Sequence, residues 1–493
     1  MYIAPKLATT SALLTASQMA EADRLTVFSG ISEARLMENA GRPVAEAIAQ
    51  RWTPRPVIVL CGPGSNGGDG FVAARYLLAA HWPVRVALLV PVNQLKGAAA
   101  HHASLWQGAI EALTPDALNG AGLVIDAIFG AGLSRQLTGA AAETLAAAAA
   151  RKLTIVAIDL PSGLRGDTGE NLGAVAAVLT ITCFRKKPGH LLQPGRALCG
   201  ELVVADIGTP ASVFDQITPD TFENDPALWA AALPKLKVDD NKYSRGHALV
   251  LGGYPTTGAA RMAARAAARS GVGLTTIAVP EHALPVYTAA LTSIMVSGLK
   301  KAADLNHLLA DIRYSAVLIG PGAGIGATTR EQVFSILGAD KATVLDADAL
   351  SSFKDDSETL FQAIKSPCVL TPHEGEFARL FNITGDKLTR ARAAARKSGA
   401  IIVLKGNDTV IVAPDGQAII NANAPATLST AGAGDVLGGI ILGLLAQRMD
   451  PFLAAAAAVW LHGAAAESFG CKLLAEDIPD LLPAVFSQLE AAN

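Results

Sequence analysis

Two glycine-rich segments of the chain each contain a carboxylate, and their residue types could bind and activate a phosphate-bearing ligand. Residues 64–70 read Gly-Ser-Asn-Gly-Gly-Asp-Gly and follow an apolar run typical of a strand. Residues 431–435 read Ala-Gly-Ala-Gly-Asp and lead into an apolar helical pattern. Backbone N–H groups at the start of a helix favour an anion such as a phosphate. The two segments therefore predict two sites with different chemistries.

Two further acids stand at the ends of strand-like runs in the first half of the chain. Asp126 ends the run Val-Ile-Asp, and Asp159 ends Ala-Ile-Asp just before Leu-Pro-Ser-Gly. The carboxyl ends of parallel strands meet at one edge of a sheet, so residues 64–70, Asp126 and Asp159 are predicted to share one crevice. A single Gly/Asp turn is more often a helix cap, but three at successive strand ends favour a site.

The elements that must position these residues alternate between strand-like and helical patterns. In residues 1–217, short β-like runs alternate with helical stretches such as 71–80, which predicts a doubly wound, mostly parallel α/β sheet of the Rossmann-like kind. Between residues 218 and 245 the periodicity lapses into Pro, Asp, Asn and Lys, which predicts a linker. Strands and helices resume after it, so residues 222–493 are predicted to form a second, larger α/β domain.

Composition excludes several classes of partner. The chain has 40 Lys and Arg against 43 Asp and Glu, so its charge does not attract nucleic acid or a membrane surface. The opening residues do not match a signal peptide, and no run matches a membrane span of roughly 20 apolar residues. The five scattered cysteines fit a reducing compartment. We expect a cytoplasmic, homo-oligomeric protein that acts on a small molecule.

The motifs of the first half resemble those of the NAD(P)H-hydrate epimerase domain over about residues 14–208. The matching motifs are Leu-Met-Glu-Asn-Ala-Gly at residues 36–41, the first glycine-rich segment, and the runs that begin at Asp126 and Asp159. The resemblance implies that Asp159 is the catalytic carboxylate. It implies that a potassium ion, a hard cation that requires oxygen ligands, binds Asn66, Asp126 and Ser162. It implies that the substrate contacts Asp159 and two loops, made of Asn66, Gly67, Gly68, Asp69, Gly70, Gly130, Ala131, Gly132, Leu133, Ser134, Arg135 and Gln136.

Lys187, in the sequence Lys-Pro-Gly, matches a basic position of the same family. The resemblance implies that Lys187 assists proton transfer or holds phosphate. The alternative is a solvated lysine beside Arg185 and Lys186. Ser65 and Ala131 stand where the family usually has Asn and Thr, and both changes are small.

The second glycine-rich segment could form an anion hole. The amides of Gly432, Ala433 and Gly434 can point at a transferring phosphoryl group, while Asp435 can take a proton from a hydroxyl. The alternative is that Asp435 is only a helix N-cap. The segment resembles the signature of ribokinase-like folds, although Ala433 replaces the more usual Ser.

Other strand ends in this half extend the likeness. With Gly-Pro-Gly at 320–322, Asp-Ala-Asp at 346–348 and Thr-Pro-His-Glu-Gly-Glu at 371–376, the half resembles the ADP- or ATP-dependent NAD(P)H-hydrate dehydratase domain from about residue 237 to 476. The resemblance implies contacts with the hydrate at Ala259, Gly322, His373 and Asp435. It implies contacts with the nucleotide at Lys405, Gly406, Asn407, Asp408, Thr409 and Gly434. His373 could instead be a satisfied buried histidine, and no second His is spaced to form a zinc site with it.

The order of the two halves resembles bifunctional NAD(P)H-hydrate repair enzymes. In such an enzyme, phosphorylation turns the ring hydroxyl of the hydrate into a good leaving group, with ADP or ATP as co-substrate and Mg²⁺ accompanying it. Asp435 would deprotonate that hydroxyl, and loss of phosphate would regenerate NADH or NADPH. The epimerase would interconvert the R and S hydrates. The alternative is a ribokinase-like small-molecule kinase whose first domain only binds a nucleotide.

Overall fold

The computed structural model describes residues 2–492 and divides the chain into two compact units. One unit is Ala12–Thr221, and the other combines the chain from Phe222 onward with residues 2–11. Each unit is built on one sheet covered by helices. The predicted class of two α/β domains is confirmed.

Seven strands form the sheet of the first unit: Val57–Cys61 (β1), Val84–Leu88 (β2), Ile110–Ala112 (β3), Leu123–Ala127 (β4), Thr154–Ile158 (β5), Leu179–Cys183 (β6) and Glu201–Ala205 (β7). All pairs are parallel, in the order β3-β2-β1-β4-β5-β6-β7. β1 and β4 are buried at every position, as parallel strands covered on both faces must be. The order reverses direction between β1 and β4, which is where ligands bind in doubly wound sheets.

Helices of the first unit include one that carries the glycine-rich segment. In the described part of this unit the α-helices are Ala16–Phe28 (α1), Glu33–Arg51 (α2), Ser65–Ala79 (α3), Gly97–Ser104 (α4), Gly139–Ala150 (α5) and Gly195–Cys199 (α6). α3 begins at Ser65, not at residue 71 as the pattern predicted, so the glycines form its first turns. They allow close packing, because a Cβ on Gly67 would lie 1.9 Å from the carbonyl oxygen of Gly62.

A ten-stranded sheet forms the second unit, with strands Thr221–Glu223 (β8), His247–Leu251 (β9), Leu274–Pro280 (β10), Met295–Leu299 (β11), Ala316–Ile319 (β12), Ala342–Leu345 (β13), Cys368–Leu370 (β14), Ile401–Leu404 (β15), Val410–Val412 (β16) and Ala418–Ile420 (β17). The order is β11-β10-β9-β12-β13-β14-β15-β16-β17-β8. β9 to β15 pair in parallel, and β16 and β17 continue the sheet as antiparallel strands.

Helices cover this sheet as well. The described α-helices are Gly258–Arg269 (α7), Leu284–Ala290 (α8), Ala302–Ala310 (α9), Ala327–Leu337 (α10), Ala347–Ser351 (α11), Ser357–Ala363 (α12), Glu374–Phe381 (α13), Lys387–Ser398 (α14), Ala433–Ala446 (α15), Pro451–Phe469 (α16) and Ile478–Ala492 (α17). By length and composition alone, α16 could cross a membrane. However, 72% of its apolar window is buried inside the protein, as in the core helix of a globular domain.

The segment that the sequence predicted as a linker is largely part of the second unit. Trp229 is 1% exposed, and its Nε1 donates to Oδ1 of Asn224 at 3.0 Å. Nδ2 of Asn224 donates to Oδ1 of Asn421 and to the carbonyl of Ala456. These buried hydrogen bonds fix residues 222–229, so the linker interpretation is wrong for them.

The amino-terminal residues also differ from the predicted domain 1–217. The Ala4 N–H donates to Asp415 at 2.7 Å, and the Tyr2 hydroxyl donates to Asp450 at 2.7 Å. Ala4 and Leu7 are both buried. These contacts explain why residues 2–11 belong to the second unit, although the pattern gave no signal of it.

Close packing of α7 against α15 gives a test of the second unit. A Cβ on Gly439 would lie 2.1 Å from the Ala263 carbonyl oxygen, whereas a Cβ on Gly258 would meet nothing within 4 Å. Ala usually stabilises a helix relative to Gly. We nevertheless expect Gly439→Ala to lower the free energy of unfolding by about 1–3 kcal/mol through overpacking, and Gly258→Ala to leave it nearly unchanged. Thermal unfolding followed by circular dichroism measures both, and equal melting temperatures would contradict the packing argument.

Candidate functional site

Residues from three strand ends meet at one crevice of the first unit. A Cβ on Gly130 would lie 2.6 Å from Oδ2 of Asp159 and 3.4 Å from Oδ1 of Asn66. The Ala131 N–H donates to Oδ2 of Asp159 at 2.8 Å. The loop after β4 therefore lies between the first turn of α3 and the end of β5.

A buried carboxylate with neutral partners lies in the same crevice. Asp126 is 1% exposed and accepts hydrogen bonds from the Ser162 hydroxyl at 2.6 Å and the Ser162 N–H at 2.8 Å. Burial raises the pKa of Asp126 to about 6, although these hydrogen bonds oppose the shift. The Ser162 hydroxyl is also 3.1 Å from the Phe129 carbonyl oxygen. Nδ2 of Asn66 is buried without a hydrogen-bond partner. The carboxylate of Asp126 and the hydroxyl of Ser162 are oxygen ligands of the kind that hard cations prefer, whereas the free Asn66 Nδ2 is a hydrogen-bond donor.

Lys187 is buried and pairs with Asp159. Its Nζ lies 2.6 Å from Oδ1 of Asp159 and 2.8 Å from Oγ1 of Thr182. The Lys187 side chain is 3% exposed, so the alternative of a solvated lysine is wrong. Burial favours the neutral form of Asp159, but the charge and hydrogen bond of Lys187 prevail and lower its pKa to about 2.

His190 and Thr182 complete this arrangement, and neither was predicted from the sequence. Nδ1 of His190 accepts from the Lys187 N–H at 2.8 Å, so Nε2 donates to the Asp159 carbonyl at 2.8 Å. Burial lowers the pKa of His190 to about 4, which keeps the ring neutral. His190 thus fixes the backbone at both members of the ion pair. Its position three residues after Lys187, in one turn, was the available signal.

Two further carboxyl groups influence the ion pair. Burial raises the pKa of Asp69 well above its ordinary value, and the charges of Asp159 and Asp23 add to that effect. Burial also raises the pKa of Asp23 to about 6, while the Lys187 charge opposes the shift. The crevice therefore combines an ionised carboxylate with carboxyl groups that hold a proton more tightly, which is the pattern of an acid and base pair. Asp23 was not predicted from the sequence.

The remaining residues of this unit that were predicted to bind substrate lie either in the crevice or in the loop after β4. Gly67, Gly68 and Gly70 are buried in the first turns of α3. In the loop after β4, Gly132, Ser134, Arg135 and Gln136 are exposed and Leu133 is half-buried.

A cavity of about 470 Å³ marks the candidate site of the second unit. It brings together most of the residues predicted there. Those that line it are His373, Lys405, Gly406, Asn407, Thr409, Gly434 and Asp435.

Asp435 lies in the first turn of α15, but it is not the cap. The N-cap is Gly432, whose φ of +91° favours glycine, and the helix begins at Ala433. The N-cap alternative for Asp435 is therefore wrong. Burial raises the pKa of Asp435 to about 7, with the charge of Asp346 adding to the shift and Lys405 opposing it. A carboxylate with this pKa suits a general base near neutral pH.

A buried ion pair lies beside Asp435. Nζ of Lys405 is 2.8 Å from Oδ1 of Asp346, which is 1% exposed. Burial alone would lower the pKa of Lys405, but the carboxylates of Asp346 and Glu376 raise it, so the lysine stays charged. The motifs that contain Asp346 and Glu376 are visible in the sequence, but the role of these two carboxylates is not, because Lys405 is distant from both in sequence.

His373 is not a buried histidine. Its side chain is 55% exposed, and its Nδ1 accepts from the Gly375 N–H at 3.0 Å as the N-cap of α13. The opposite nitrogen, Nε2, lies 3.6 Å from Oε1 of Glu376. The ring therefore lies at the rim of the cavity with one nitrogen used for capping.

Three predicted residues do not line the cavity. Oδ1 of Asp408 pairs with Nζ of Lys387 at 2.5 Å. Gly322 lies against the loop before α7, where a Cβ would be 2.5 Å from the Thr256 carbonyl oxygen. Ala259 is in the first turn of α7.

Comparison with known proteins agrees with this division into two sites. Residues 248–483 match the family described as NAD(P)H-hydrate dehydratase, and residues 33–189 match the family described as YjeF-related protein N-terminus. The bifunctional NAD(P)H-hydrate repair enzyme Nnr of Moorella thermoacetica is 37% identical, over 97% of each chain. The enzyme of that name from Salinibacter ruber is 36% identical, over 97% of this chain and 96% of its own.

A solved structure also matches part of the chain. It is an ADP/ATP-dependent NAD(P)H-hydrate dehydratase from Bacillus subtilis, co-crystallised with ATP and Mg²⁺, and is 33% identical with a TM-score of 0.46. The match covers 52% of this chain and 95% of the other. From its full-length relatives, the chain belongs to the family of bifunctional NAD(P)H-hydrate repair enzymes.

Proposed function

We propose that the chain repairs hydrated NADH and NADPH at two sites, an epimerase in the first unit and a nucleotide-dependent dehydratase in the second. The observation that carries this proposal is Asp435, a carboxylate with a pKa of about 7 in the first helical turn after Gly432. A base at that place can accept the proton of a hydroxyl as a phosphoryl group is transferred to its oxygen.

In the second site, the hydroxyl oxygen of the hydrate attacks the terminal phosphorus of ADP or ATP while Asp435 takes the proton. The N–H groups at the start of α15 stabilise the negative charge that develops on the phosphoryl oxygens. The nitrogen lone pair of the ring then expels phosphate, and loss of a proton from the neighbouring carbon restores the reduced ring. Hydroxide itself would be a much poorer leaving group.

The residues predicted from the resemblance divide between the two ligands of this site. We propose that Ala259, Gly322, His373 and Asp435 contact the hydrate. The nucleotide contacts residues 405–409 and Gly434. Mg²⁺ binds mainly through phosphates and one or two carboxylates, and Asp346 and Glu376 are carboxylates that line the cavity. Mg²⁺ would neutralise phosphate charge when bound.

In the first site, epimerisation requires a bond at the hydroxyl-bearing carbon to break and form again on the other face. We propose that Asp159 is the base and that Lys187 keeps it ionised. Asp69, whose pKa is raised by burial, gives a proton to the departing hydroxyl, which leaves as water. Asp159 takes a proton from the water that then adds to the other face, and proton exchange with solvent restores both carboxyl groups. The loops at residues 66–70 and 130–136 hold the phosphates of the substrate.

We further propose that Asn66, Asp126 and Ser162 hold a potassium ion. The support is the donor set, because it is made of oxygens and leaves the buried charge of Asp126 without a basic partner among the groups that bind it. A bound cation would neutralise that charge and order the loops on both sides of it.

Replacing Asp126 tests the cation site. We expect Asp126→Asn to lower epimerisation in potassium buffer by about tenfold or more, since losing even an indirect contact to a metal costs about 10–100-fold. Potassium should also stop raising the melting temperature of the first unit, because an ion that binds only the folded state stabilises it. Asp116→Asn, at an exposed position of the same unit, is the control. A crystal soaked with a heavier potassium analogue that shows no anomalous signal at Asp126 would refute the site.

One absorbance assay tests the whole proposal. Each hydrate epimer is incubated with ADP or with ATP, and reduced nicotinamide is measured as it forms. We expect the S epimer to be converted directly and the R epimer only while the first site is active. A small-molecule kinase would instead consume nucleotide without forming reduced nicotinamide. The same assay measures the preference for ADP or ATP and for the NADH or NADPH hydrate.

Separate expression of the two units tests whether the activities are independent. We expect residues 12–221 and 222–493 each to fold and keep one activity, because each has its own sheet and site. The second piece should be less stable than in the full chain, because it lacks the buried Ala4 and Leu7. The second piece alone should consume one epimer of an equilibrated mixture quickly and the rest slowly. Adding the first piece should remove the slow phase. If it does not, with both pieces folded by circular dichroism, the epimerase assignment fails.

We also propose that the protein is a cytoplasmic homo-oligomer with no nucleic acid or membrane partner. All five cysteines of the described chain are free thiols, which is consistent with a reducing compartment. Light scattering measures the number of chains in the assembly.

A further inference from the structure

The loop at residues 405–409 lines the cavity of the second unit on both sides of one residue that does not. Its lining residues are Lys405, Gly406, Asn407 and Thr409. Asp408 is absent from the lining and is 6% exposed, although the two residues before it are exposed. The loop therefore presents four residues to the cavity and buries the side chain of the fifth.

The buried carboxylate of Asp408 is paired with a lysine at the start of α14. Oδ1 of Asp408 lies 2.5 Å from Nζ of Lys387, and the two side chains are 9% and 11% exposed. An exposed ion pair contributes little to stability, but removing one partner of a buried pair leaves an uncompensated charge. The loop and α14 are therefore held together by a contact that is costly to break.

Gly406 allows the lysine to reach the loop. A Cβ on Gly406 would lie 2.6 Å from Nζ of Lys387 and 3.1 Å from Oδ1 of Asp408. The ammonium group therefore lies against the backbone of the loop as well as against the carboxylate. Any side chain at position 406 would have to displace it.

Backbone hydrogen bonds fix the two ends of the same loop. The Lys405 N–H donates to the Pro372 carbonyl at 2.9 Å, and the Asn421 N–H donates to the Thr409 carbonyl at 2.9 Å. Both bonds join main-chain atoms, so they do not depend on the side chain at position 408. With the ends fixed in this way, the ion pair of Lys387 acts on the turn between them.

A second carboxylate lies near the same lysine. Oε1 of Glu374, the first residue of α13, is 3.9 Å from Nζ of Lys387, and Oε2 is 2.8 Å from Nη1 of Arg390. The Glu374 side chain is 50% exposed, so solvent screens its attraction to Lys387. Asp408, which is closer and buried, is therefore the main partner of the lysine.

We propose that Lys387 is a positioning residue for the nucleotide co-substrate, because its ion pair with Asp408 holds residues 405–409 in the shape that receives ADP or ATP. The pair also compensates the charge of Asp408, which would otherwise repel the phosphates of the nucleotide. The Asp408 side chain thus binds Lys387 and not the nucleotide. This inference deepens the proposed function and rests on it.

Nucleotide affinity tests the inference. We expect Lys387→Met to raise the Kd for ADP, measured by titration calorimetry, and the KM for ATP by about tenfold, within the usual range of coupling in an ion-pair network. The KM for the hydrate and kcat at saturating ATP should stay unchanged, because Asp435 and the start of α15 are not altered. A residue that only stabilised the fold would not separate these constants. Lys387→Arg, which keeps the charge, should retain most of the affinity.

A double-mutant cycle tests whether Lys387 acts through Asp408. Asp408→Asn should raise the same two constants to a similar extent, and adding Lys387→Met to it should have little further effect. Additive effects would mean that Lys387 reaches the nucleotide by another route, and the inference would be wrong. If circular dichroism shows that Lys387→Met does not fold, Asp408→Asn decides alone, and an unchanged Kd for ADP in that variant overturns the inference.

Lys397 provides a matched control on the same helix. Its Nζ lies 2.6 Å from Oε1 of Glu358, a residue of α12 that does not line the cavity. Lys397→Met should therefore leave the Kd for ADP unchanged. An equal rise in the two lysine variants would show that α14 affects binding only through its stability, which contradicts the role given to Lys387.

The outcomes also separate this inference from the proposed function. If the wild type binds ADP and Lys387→Met binds it equally well, the inference alone is wrong. If the wild type binds neither ADP nor ATP, the proposed function fails and the inference fails with it. If ADP binding is weaker in Lys387→Met but the wild type forms no reduced nicotinamide, the proposed reaction fails and the role of Lys387 stands.

Discussion

Asp435→Asn should lower nucleotide-dependent dehydration by about 10²–10⁴-fold, the usual contribution of a positioned general base. Asparagine keeps the shape of the side chain but cannot accept the hydroxyl proton. Epimerisation should persist, because the Asp159 crevice belongs to the other unit. Steady-state rates with the S hydrate measure the loss. Asp480→Asn, which removes an exposed carboxylate of the second unit, is the control and should retain the wild-type rate.

The pH dependence gives a second measurement of the same base. Burial raises the pKa of Asp435 to about 7, so the reactive ionised form becomes scarce below that pH. We expect kcat/KM for dehydration to rise about tenfold per pH unit up to about pH 7 and then to level off. In the Asp435→Asn variant, kcat/KM for dehydration should not show this rise with pH. A variant that keeps both the wild-type rate and the limb would show that another group is the base.

The features that the sequence predicted are those determined by neighbouring residues. The buried strands β1 and β4 consist of residues that suit a parallel sheet on both faces, so the fold class followed from short segments. Asp126 and Asp159 were found because each stands at a strand end. The prediction that they share one crevice then followed from the rule that the carboxyl ends of parallel strands meet at one edge of the sheet.

The features that it did not predict depend on contacts between distant parts of the chain. Lys405 and Asp346 are 59 residues apart, and Asn224 and Asn421 are 197 residues apart.

The charge states of the site carboxylates could not be predicted from the sequence either, because they depend on burial and on neighbouring charges. Asp159 and Asp435 are both aspartates near glycines, yet the pKa of one is about 2 and that of the other about 7. The difference arises because Lys187 donates directly to Asp159, whereas Lys405 is paired with Asp346 and only partly offsets the burial of Asp435.

Asp159→Asn should reduce epimerisation by about 10²–10⁴-fold, while the second unit continues to dehydrate the S epimer. The substitution also leaves Lys187 buried without its counter-ion, which is strongly destabilising. The rate must therefore be measured on protein that circular dichroism shows to be folded. The double variant Asp159→Asn/Lys187→Met should recover part of the lost melting temperature but none of the epimerisation rate. Rapid epimerisation by either folded variant would exclude Asp159 as the base.

The variant Lys187→Met tests whether Lys187 controls the ionisation of the base Asp159 or only stabilises the fold. In the wild type, Asp159 is ionised above about pH 2, so its titration should not limit epimerisation near neutral pH. Without the Lys187 charge, burial dominates and the pKa of Asp159 rises. We expect the variant to be slow at low pH and to regain rate as pH increases, which a structural role alone would not produce. An epimerisation rate reduced by the same factor at every pH would mean that Lys187 itself takes part in proton transfer or phosphate binding, because a shift in the pKa of Asp159 must alter the profile.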